Sequence, residues 1–195
     1  MKPDPATAAS TECLAKGVNF QGLMRSLGEL YGPDAVSECA KLLPAELGDA
    51  LRYGQLVMIG WYPVKWYAEL HSSIDRTLGG GPEVARRLAR HAALRDFTTL
   101  YRLIVSLLSP ETVAAHAHRL MGLYFRGGTA ERLEVRPGLA RVRFSGWKGF
   151  TGLIWEDVMG GTEAVLIACK AQNPRSRALG SLETAEQVEL EVRWD

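Results

Sequence analysis

The feature that most constrains this fold is a change of period near residue 130. Before it, apolar residues recur every three or four positions, which is typical of amphipathic helices. After it, Leu133 and Val135 alternate with charged residues, Pro137-Gly138 provides a turn signal, and the alternation resumes at Ala140. Two alternating runs around a turn dipeptide predict a β-hairpin with one buried face.

Two further strands are predicted near the end of the chain, a modest one over 175–182 and a clear one from Val188 to Trp194. Strands gathered late in a chain cannot be joined by alternating βαβ crossovers. We therefore expect an α+β fold, in which an N-terminal helical region packs on a C-terminal, mostly antiparallel four-stranded sheet. One domain is expected over 16–195, after a disordered tail at 1–15.

The segment Asp96–Leu108 is the most continuously apolar helical stretch, and we expect it to form the central core helix. Ser109-Pro110 is a helix-start signature for the next helix, which should stop at Gly127. The pair Gly160-Gly161 should separate a helix at 146–159 from a short helix or strand at 162–169. The remaining helices are predicted at 18–31 with Asn19 as N-cap, at 34–43, at 45–53, at 63–78 and at 83–94.

Composition excludes several classes of protein. The net charge of +1 gives no global reason to expect nucleic acid or an anionic membrane as partner. The central apolar segment is too short to span a bilayer, which needs about 20 apolar residues. Cys13, Cys39 and Cys169 lie far apart and outside metal-ligand spacings, so free thiols are expected. With no secretory signal pattern near the N-terminus, a cytoplasmic location is expected.

Four large aromatic residues and a histidine fall close together on either side of Pro63, which suits the first turn of a helix. Aromatic side chains beside a histidine could line a pocket for a small ligand. Trp and Tyr also dominate ordinary cores, and core packing is the simpler interpretation. The candidate ligand-binding residues are Trp61, Tyr62, Trp66, Tyr67 and His71.

Other polar motifs are less specific. Arg86, Arg87 and Arg90 could form a basic patch for a phosphate or an acidic partner, or could simply be a solvated helix face. The glycine run at 79–81 lacks the preceding strand and the following lysine of a phosphate-binding loop. His116 and His118 diverge on a helix, so the pair is a poor chelate, and no metal site is predicted.

Three segments carry a resemblance to known families: GVNFQGL near the start, GWYPVKWY around Pro63, and the ending VELEVRW. The chain resembles a myxobacterial paralogous family of unknown function. That family is similar in plan to the heme-NO-binding, vinyl-reductase-like and TRAPP-like domains, which have N-terminal helices followed by a mostly antiparallel sheet. The resemblance covers about residues 16–195 and implies a small cytoplasmic sensory or assembly module.

The resemblance does not bring a heme site with it. Heme-binding members of the group carry a Tyr-x-Ser-x-Arg motif for the propionates, and the sequence has no such triplet at Tyr101 or Tyr124. No cofactor is therefore predicted, although His71 and His91 are the histidines to test first as axial ligands.

Three classes of function follow from the sequence. The leading hypothesis is a non-enzymatic regulatory or sensory module that binds a small apolar ligand or a protein partner, possibly as a homodimer. A heme-based gas sensor is the alternative. An enzyme comes last, because no acid, base or nucleophile stands in a recognisable arrangement.

Overall fold

The computed structural model describes residues 12–99, 108–182 and 187–195, without the side chains of 97–99. Its helices are α1 (Gly17–Tyr31), α2 (Pro33–Leu42), α3 (Ala45–Arg52), α4 (Val64–Leu78), α5 (Gly81–Thr99), α6 (Pro110–Ala115), α7 (Ala117–Tyr124) and α8 (Gly152–Ala168). Its strands are β1 (Leu14–Lys16), β2 (Trp61–Pro63), β3 (Phe125–Arg126), β4 (Thr129–Arg136), β5 (Leu139–Ser145), β6 (Arg175–Ala178) and β7 (Gln187–Arg193).

The four late strands form one sheet in the order β4-β5-β7-β6, and every neighbouring pair is antiparallel. The alternating apolar side chains of β5 and β7 lie opposite one another in register, as Val142 does with Leu190 and Phe144 with Val188. These four side chains are buried on the face that meets the helices. The α+β class and the antiparallel four-stranded sheet are therefore confirmed.

The other face of this sheet is charged. Glu191 of β7 is fully buried there, because the guanidinium groups of Arg141, Arg177 and Arg193 lie 2.8 to 2.9 Å from its carboxylate oxygens. These cations, Arg193 first, lower the pKa of Glu191 to about 2. Three arginines, one each from β5, β6 and β7, thus cover the back of the sheet.

A second sheet was not predicted. It has three short strands in the order β2-β1-β3, and β1 pairs antiparallel with both neighbours. Because β1 begins at Leu14, the last two residues of the predicted tail, Leu14 and Ala15, belong to a strand. Residues 1–11 of the predicted tail lie outside the described residues, and the single domain over 16–195 stays a prediction.

Helix α8 corrects the predicted break at Gly160-Gly161, since it continues through both glycines. A Cβ at Gly160 would collide with the backbone carbonyl oxygen of Arg86, whereas a Cβ at Gly161 would meet nothing within 4 Å. Gly160 therefore lets α5 and α8 cross at close range, and tertiary packing decides this helix against the local glycine signal.

Three other helix boundaries differ from prediction. Helix α5 continues to Thr99, so Asp96 belongs to its last turns rather than to a new helix. Most of the predicted core helix, residues 100–107, lies outside the described residues. Ser109 caps α6 as predicted, but the helix stops and restarts at His116. Helix α1 begins at Gly17, and Asn19 donates instead to the carbonyl oxygen of Tyr124 at 3.0 Å.

Candidate functional site

An apolar cavity lies between the helices and the inner face of the four-stranded sheet. Its walls come from α1, α4, α5, α6, α7, α8, β5 and β7, and its volume is about 170 Å³. Alanine is unusually frequent in its lining, which leaves space where longer side chains would meet. The lining alanines are Ala89, Ala92, Ala93, Ala114, Ala117 and Ala140.

Asp157 contributes a carboxyl group to the largely apolar lining of the cavity. Helix α8 presents this carboxyl group toward α4, where the hydroxyl of Tyr67 donates a hydrogen bond to Oδ1 at 2.9 Å. Both residues line the cavity. His71 lies one helical turn beyond Tyr67 on α4, and the two rings meet edge to face at 4.7 Å. A largely apolar space with a few convergent polar groups has the composition of a small-molecule site.

His71 lies next to Asp157 but does not form a hydrogen bond with it. Its Nε2 lies 3.7 Å from Oδ1 of Asp157, which is too long for a hydrogen bond. Among the described residues, Nε2 of His71 has no hydrogen-bond partner although it is fully buried. An orphaned polar atom of this kind is uncommon in native proteins and calls for a structural or functional reason.

Burial sets the charge of these groups. It raises the pKa of Asp157 to about 7, against the opposing effect of the hydrogen bond from Tyr67. Burial also raises the pKa of Tyr67, with the neighbouring Asp157 adding to the effect, and lowers the pKa of His71 to about 3. Near neutral pH, Tyr67 and His71 are therefore uncharged, and Asp157 changes charge in the physiological range.

The structure divides the five predicted ligand-binding residues into two groups. Tyr67 and His71 join the buried polar cluster, and only Tyr67 of the five lines the cavity. Tyr62 and Trp66 stack on each other, nearly parallel, with ring centres 6.1 Å apart, and are only partly buried. Trp61 lies on the small sheet, under the guanidinium of Arg126 at 4.0 Å.

The predicted basic patch is also divided. The Arg86 side chain reaches across to α8 and β6, where it pairs with Glu156 at 2.7 Å and donates to the carbonyl oxygen of Ser176 at 3.0 Å. Arg90 lies 3.5 Å from Glu163, whereas Arg87 contacts the hydroxyl of Tyr31. Arg86 and Arg90 therefore serve contacts between elements of the fold.

Sequence reasoning missed Asp157, the central residue of the site. It stands in the run IWEDVM, where one of two adjacent acids on an apolar helix looks like the solvent-facing side. One sequence signal could have identified it. Helix α8 is apolar on nearly all faces, and a helix of that kind is buried together with its carboxyl groups.

The described part of the chain holds neither a metal-binding cluster nor a membrane-spanning helix. In the described ranges, no three side chains of His, Cys, Asp or Glu come close enough together to hold a metal ion. The three cysteines are free, as expected from their spacing, and all three are buried, which the sequence did not predict. No helix of the described part of the chain combines the length and the apolar character that crossing a membrane requires.

Comparison with known proteins places this fold. Searches with protein-family models and against curated proteins gave no match. The Fe(II) unliganded H-NOX protein from K. algicida superposes with a TM-score of 0.67 at 12% identity, over 92% of this chain and 96% of that one. An oxygen-binding H-NOX domain related to soluble guanylate cyclases gives 0.64 at 11% identity, over 92% and 95%.

A third solved structure agrees with these two. A point mutant of the T. tengcongensis H-NOX gives a TM-score of 0.61 at 13% identity, over 92% of this chain and 97% of that one. At such identities the likeness shows the fold alone. The resemblance to the heme-NO-binding plan is thus confirmed at the level of fold, and kinship with the myxobacterial family stays a prediction.

Proposed function

We propose that this protein is a non-enzymatic sensory module that binds a small, mainly apolar molecule in the cavity between its helices and its sheet. The observation that carries the proposal is the cavity itself, about 170 Å³ in volume and lined mostly by alanine and larger aliphatic residues. Engineered apolar cavities of about 150 Å³ stay dry and bind benzene or xenon, so the volume suits a ligand of that size.

The carboxyl group of Asp157 indicates that the ligand also carries a hydrogen-bond donor. Asp157 already accepts the Tyr67 hydroxyl, and an ionised or neutral carboxyl group can accept another donor. A hydroxyl or N–H group on an otherwise apolar ring would therefore gain a hydrogen bond there. Phenol and indole are suitable probes, with benzene as the probe that lacks a donor.

The test combines native mass spectrometry of the purified protein with melting curves in the presence of each probe. Binding at a ligand concentration of about a hundredfold over Kd should raise the melting temperature by roughly 5 to 10 °C. Ala114→Leu fills the cavity from α6 and should abolish that shift. Ala40→Leu makes the same change at an exposed position of α2 and should leave the shift intact. No shift with any probe, and no bound molecule, would contradict the proposal.

A heme-based gas sensor is the second candidate, because the solved structures of similar fold are H-NOX proteins, including Fe(II) and oxygen-bound forms. The residues present do not fit a histidine-ligated heme. Among the described residues that line the cavity, none is a histidine or a cysteine. Of the two histidines to test first, His71 is held beside Asp157, and the Nδ1 of His91 lies 3.2 Å from the Ser26 hydroxyl and 3.6 Å from a Glu29 carboxylate oxygen.

Hemin titration separates the two candidates. A Soret band that appears in one-to-one stoichiometry and is unaffected by Ala114→Leu would favour heme outside the cavity. A Soret band that is lost in that variant would favour heme inside the cavity. A protein that stays colourless would exclude heme and favour the small apolar ligand. A cytoplasmic location, a homodimer and the absence of enzymatic activity remain parts of the proposal.

A further inference from the structure

The loop 53–60, between α3 and β2, exposes large apolar side chains at the surface. Ile59 is 80% exposed, Tyr53 68%, Val57 52% and Met58 49%. Single exposed apolar residues are ordinary, but Val57, Met58 and Ile59 are consecutive, and Tyr53 belongs to the same loop. Contiguous exposed apolar patches mark interaction sites. Side chains exposed to this degree project from the surface instead of lining a groove.

The loop is held in place despite this exposure. The amide groups of Gly17 and Val18, at the start of α1, donate to the carbonyl oxygens of Gly60 and Met58 at 2.9 and 3.0 Å. The Gln21 side chain donates to the carbonyl oxygen of Leu56 at 2.6 Å. The Tyr62 hydroxyl accepts from Val57 N–H and donates to the carbonyl oxygen of Gln55. The apolar tip, residues 57–59, is thus held in a fixed conformation, which lowers the entropy cost of binding.

Cations flank the tip on the outer face of the small sheet. Lys16 of β1 lies opposite Trp61 of β2, and its ammonium group is 5.5 Å from the centre of that indole ring. Arg126 of β3 covers the same ring at 4.0 Å. In the described part of the chain, neither cation forms an ion pair with a carboxylate. Trp61 follows Ile59 by two residues, so the cations lie next to the loop 53–60.

We propose that the loop 53–60 and the outer face of the small sheet form a binding surface for a bilayer that contains anionic lipids. The tip would enter the boundary between headgroups and acyl chains, and Trp61 would lie at the headgroup level, where amphipathic rings are favoured. Lys16 and Arg126 would meet the lipid phosphates and carboxylates. The net charge of +1 for the whole chain does not reveal this surface, because two cations in one place contribute little to the total. The inference is independent of the cavity ligand.

The test is cosedimentation of the full chain with vesicles of equimolar phosphatidylcholine and phosphatidylserine, compared with pure phosphatidylcholine. We expect binding to the mixed vesicles, and much weaker binding to the neutral ones. Raising the salt from about 0.1 M to about 1 M shortens the Debye length from about 10 Å to about 3 Å and should reduce binding.

Ile59→Asp should lower the partition coefficient about tenfold or more, because it removes a large apolar side chain from the inserted tip. The position is exposed, so the melting temperature should not change. Leu30→Asp is the matched control, since Leu30 is 40% exposed but lies at the far end of α1, roughly 20 Å from the tip. Replacing Lys16 and Arg126 together by alanine should remove the preference for phosphatidylserine.

Three results would overturn the proposal. The first is that the chain does not sediment with mixed vesicles at low salt. The second is that Ile59→Asp binds as well as Leu30→Asp. The third is a dimer in analytical ultracentrifugation that Ile59→Asp converts to monomers without any vesicle binding, because the tip would then contact a second copy of the chain.

Discussion

Helix α8 carries two buried carboxyl groups in contrasting environments. Glu163 accepts hydrogen bonds from the amide and hydroxyl of Ser176 at 2.9 and 3.1 Å, and the guanidinium groups of Arg86 and Arg90 lie 3.4 and 3.5 Å away. Asp157 faces the cavity with the Tyr67 hydroxyl as its donor and a neutral His71 beyond hydrogen-bond distance.

This difference separates a structural group from a functional candidate. A buried carboxylate surrounded by donors and cations joins α5, α8 and β6, and it has little capacity left for another molecule. A buried carboxyl group with one donor is costly to ionise, and a ligand could supply the missing partner. The comparison predicts that substitutions at the two positions have opposite effects on stability.

The largest effect is expected at Glu163. Glu163→Ala leaves the buried amide of Ser176 without its acceptor and removes the carboxylate that Arg86 and Arg90 share, so we expect it to lower the free energy of unfolding by about 3 to 5 kcal/mol. Glu38→Ala is the control, because Glu38 forms an ion pair with Lys41 at 2.6 Å while its side chain is 60% exposed. That change should cost about 0.5 kcal/mol or less. Urea unfolding of both variants measures the effect, and equal losses would contradict the assignment.

At Asp157, removal of the charge should stabilise the protein in a pH-dependent way. The folded-state pKa of about 7 lies above the usual value, so the folded state holds a proton that the unfolded state has lost. Stability from this group is complete below about pH 4 and is lost as the pH rises through 7. The free energy of unfolding of Asp157→Asn minus that of the wild type should therefore grow from near zero at pH 4 to on the order of 2 to 4 kcal/mol at pH 8.

Taking this difference at each pH removes the contribution of His71. The lowered pKa of His71 gives stability above its usual pKa that is lost as the pH falls toward 3, in both proteins alike. A difference that stays constant from pH 4 to 8 would show that Asp157 is charged in the folded protein throughout this range.

The smallest effect concerns the packing that places these two groups. Gly160→Ala introduces a methyl group against the backbone of α5 at Arg86, and we expect a loss of about 1 to 3 kcal/mol. Gly161→Ala is the neighbouring control in open space, and its better helix propensity should raise stability by about 0.5 to 1 kcal/mol. Thermal unfolding distinguishes them, and a neutral Gly160→Ala would show that the helices can separate.

How much of this could be predicted from sequence depended on the length of each pattern. Strands β5 and β7 alternate over seven residues each, enough for the period to be recognised, and the four-stranded sheet followed from them. Strands β1 to β3 have two or three residues each, too few to show a period, and they pair residues far apart in the chain. The small sheet could therefore not be predicted from the sequence.

The candidate site was predicted less well for a related reason. Tyr67 and His71 were identified because aromatic residues cluster in sequence, but that cluster also supplied Trp61, Tyr62 and Trp66, which lie elsewhere. Asp157 is brought to Tyr67 only by the packing of α8 on α4. A site built from helices that are distant in sequence leaves no local sequence pattern. Gly160, which permits the close contact of α5 and α8, instead resembles the end of a helix when only the sequence is known.

The position of β1 in the small sheet has a practical consequence for anyone who shortens this chain. Residues 14–16 are the middle strand, with β2 on one side and β3 on the other. A truncated protein that started at residue 17 would leave the facing edges of both outer strands without their hydrogen-bond partner and would uncover the aromatic side chains beneath them. Residues 14–16 thus join the N-terminal part of the chain to residues 61–63 and 125–126, two segments that are distant from it in sequence.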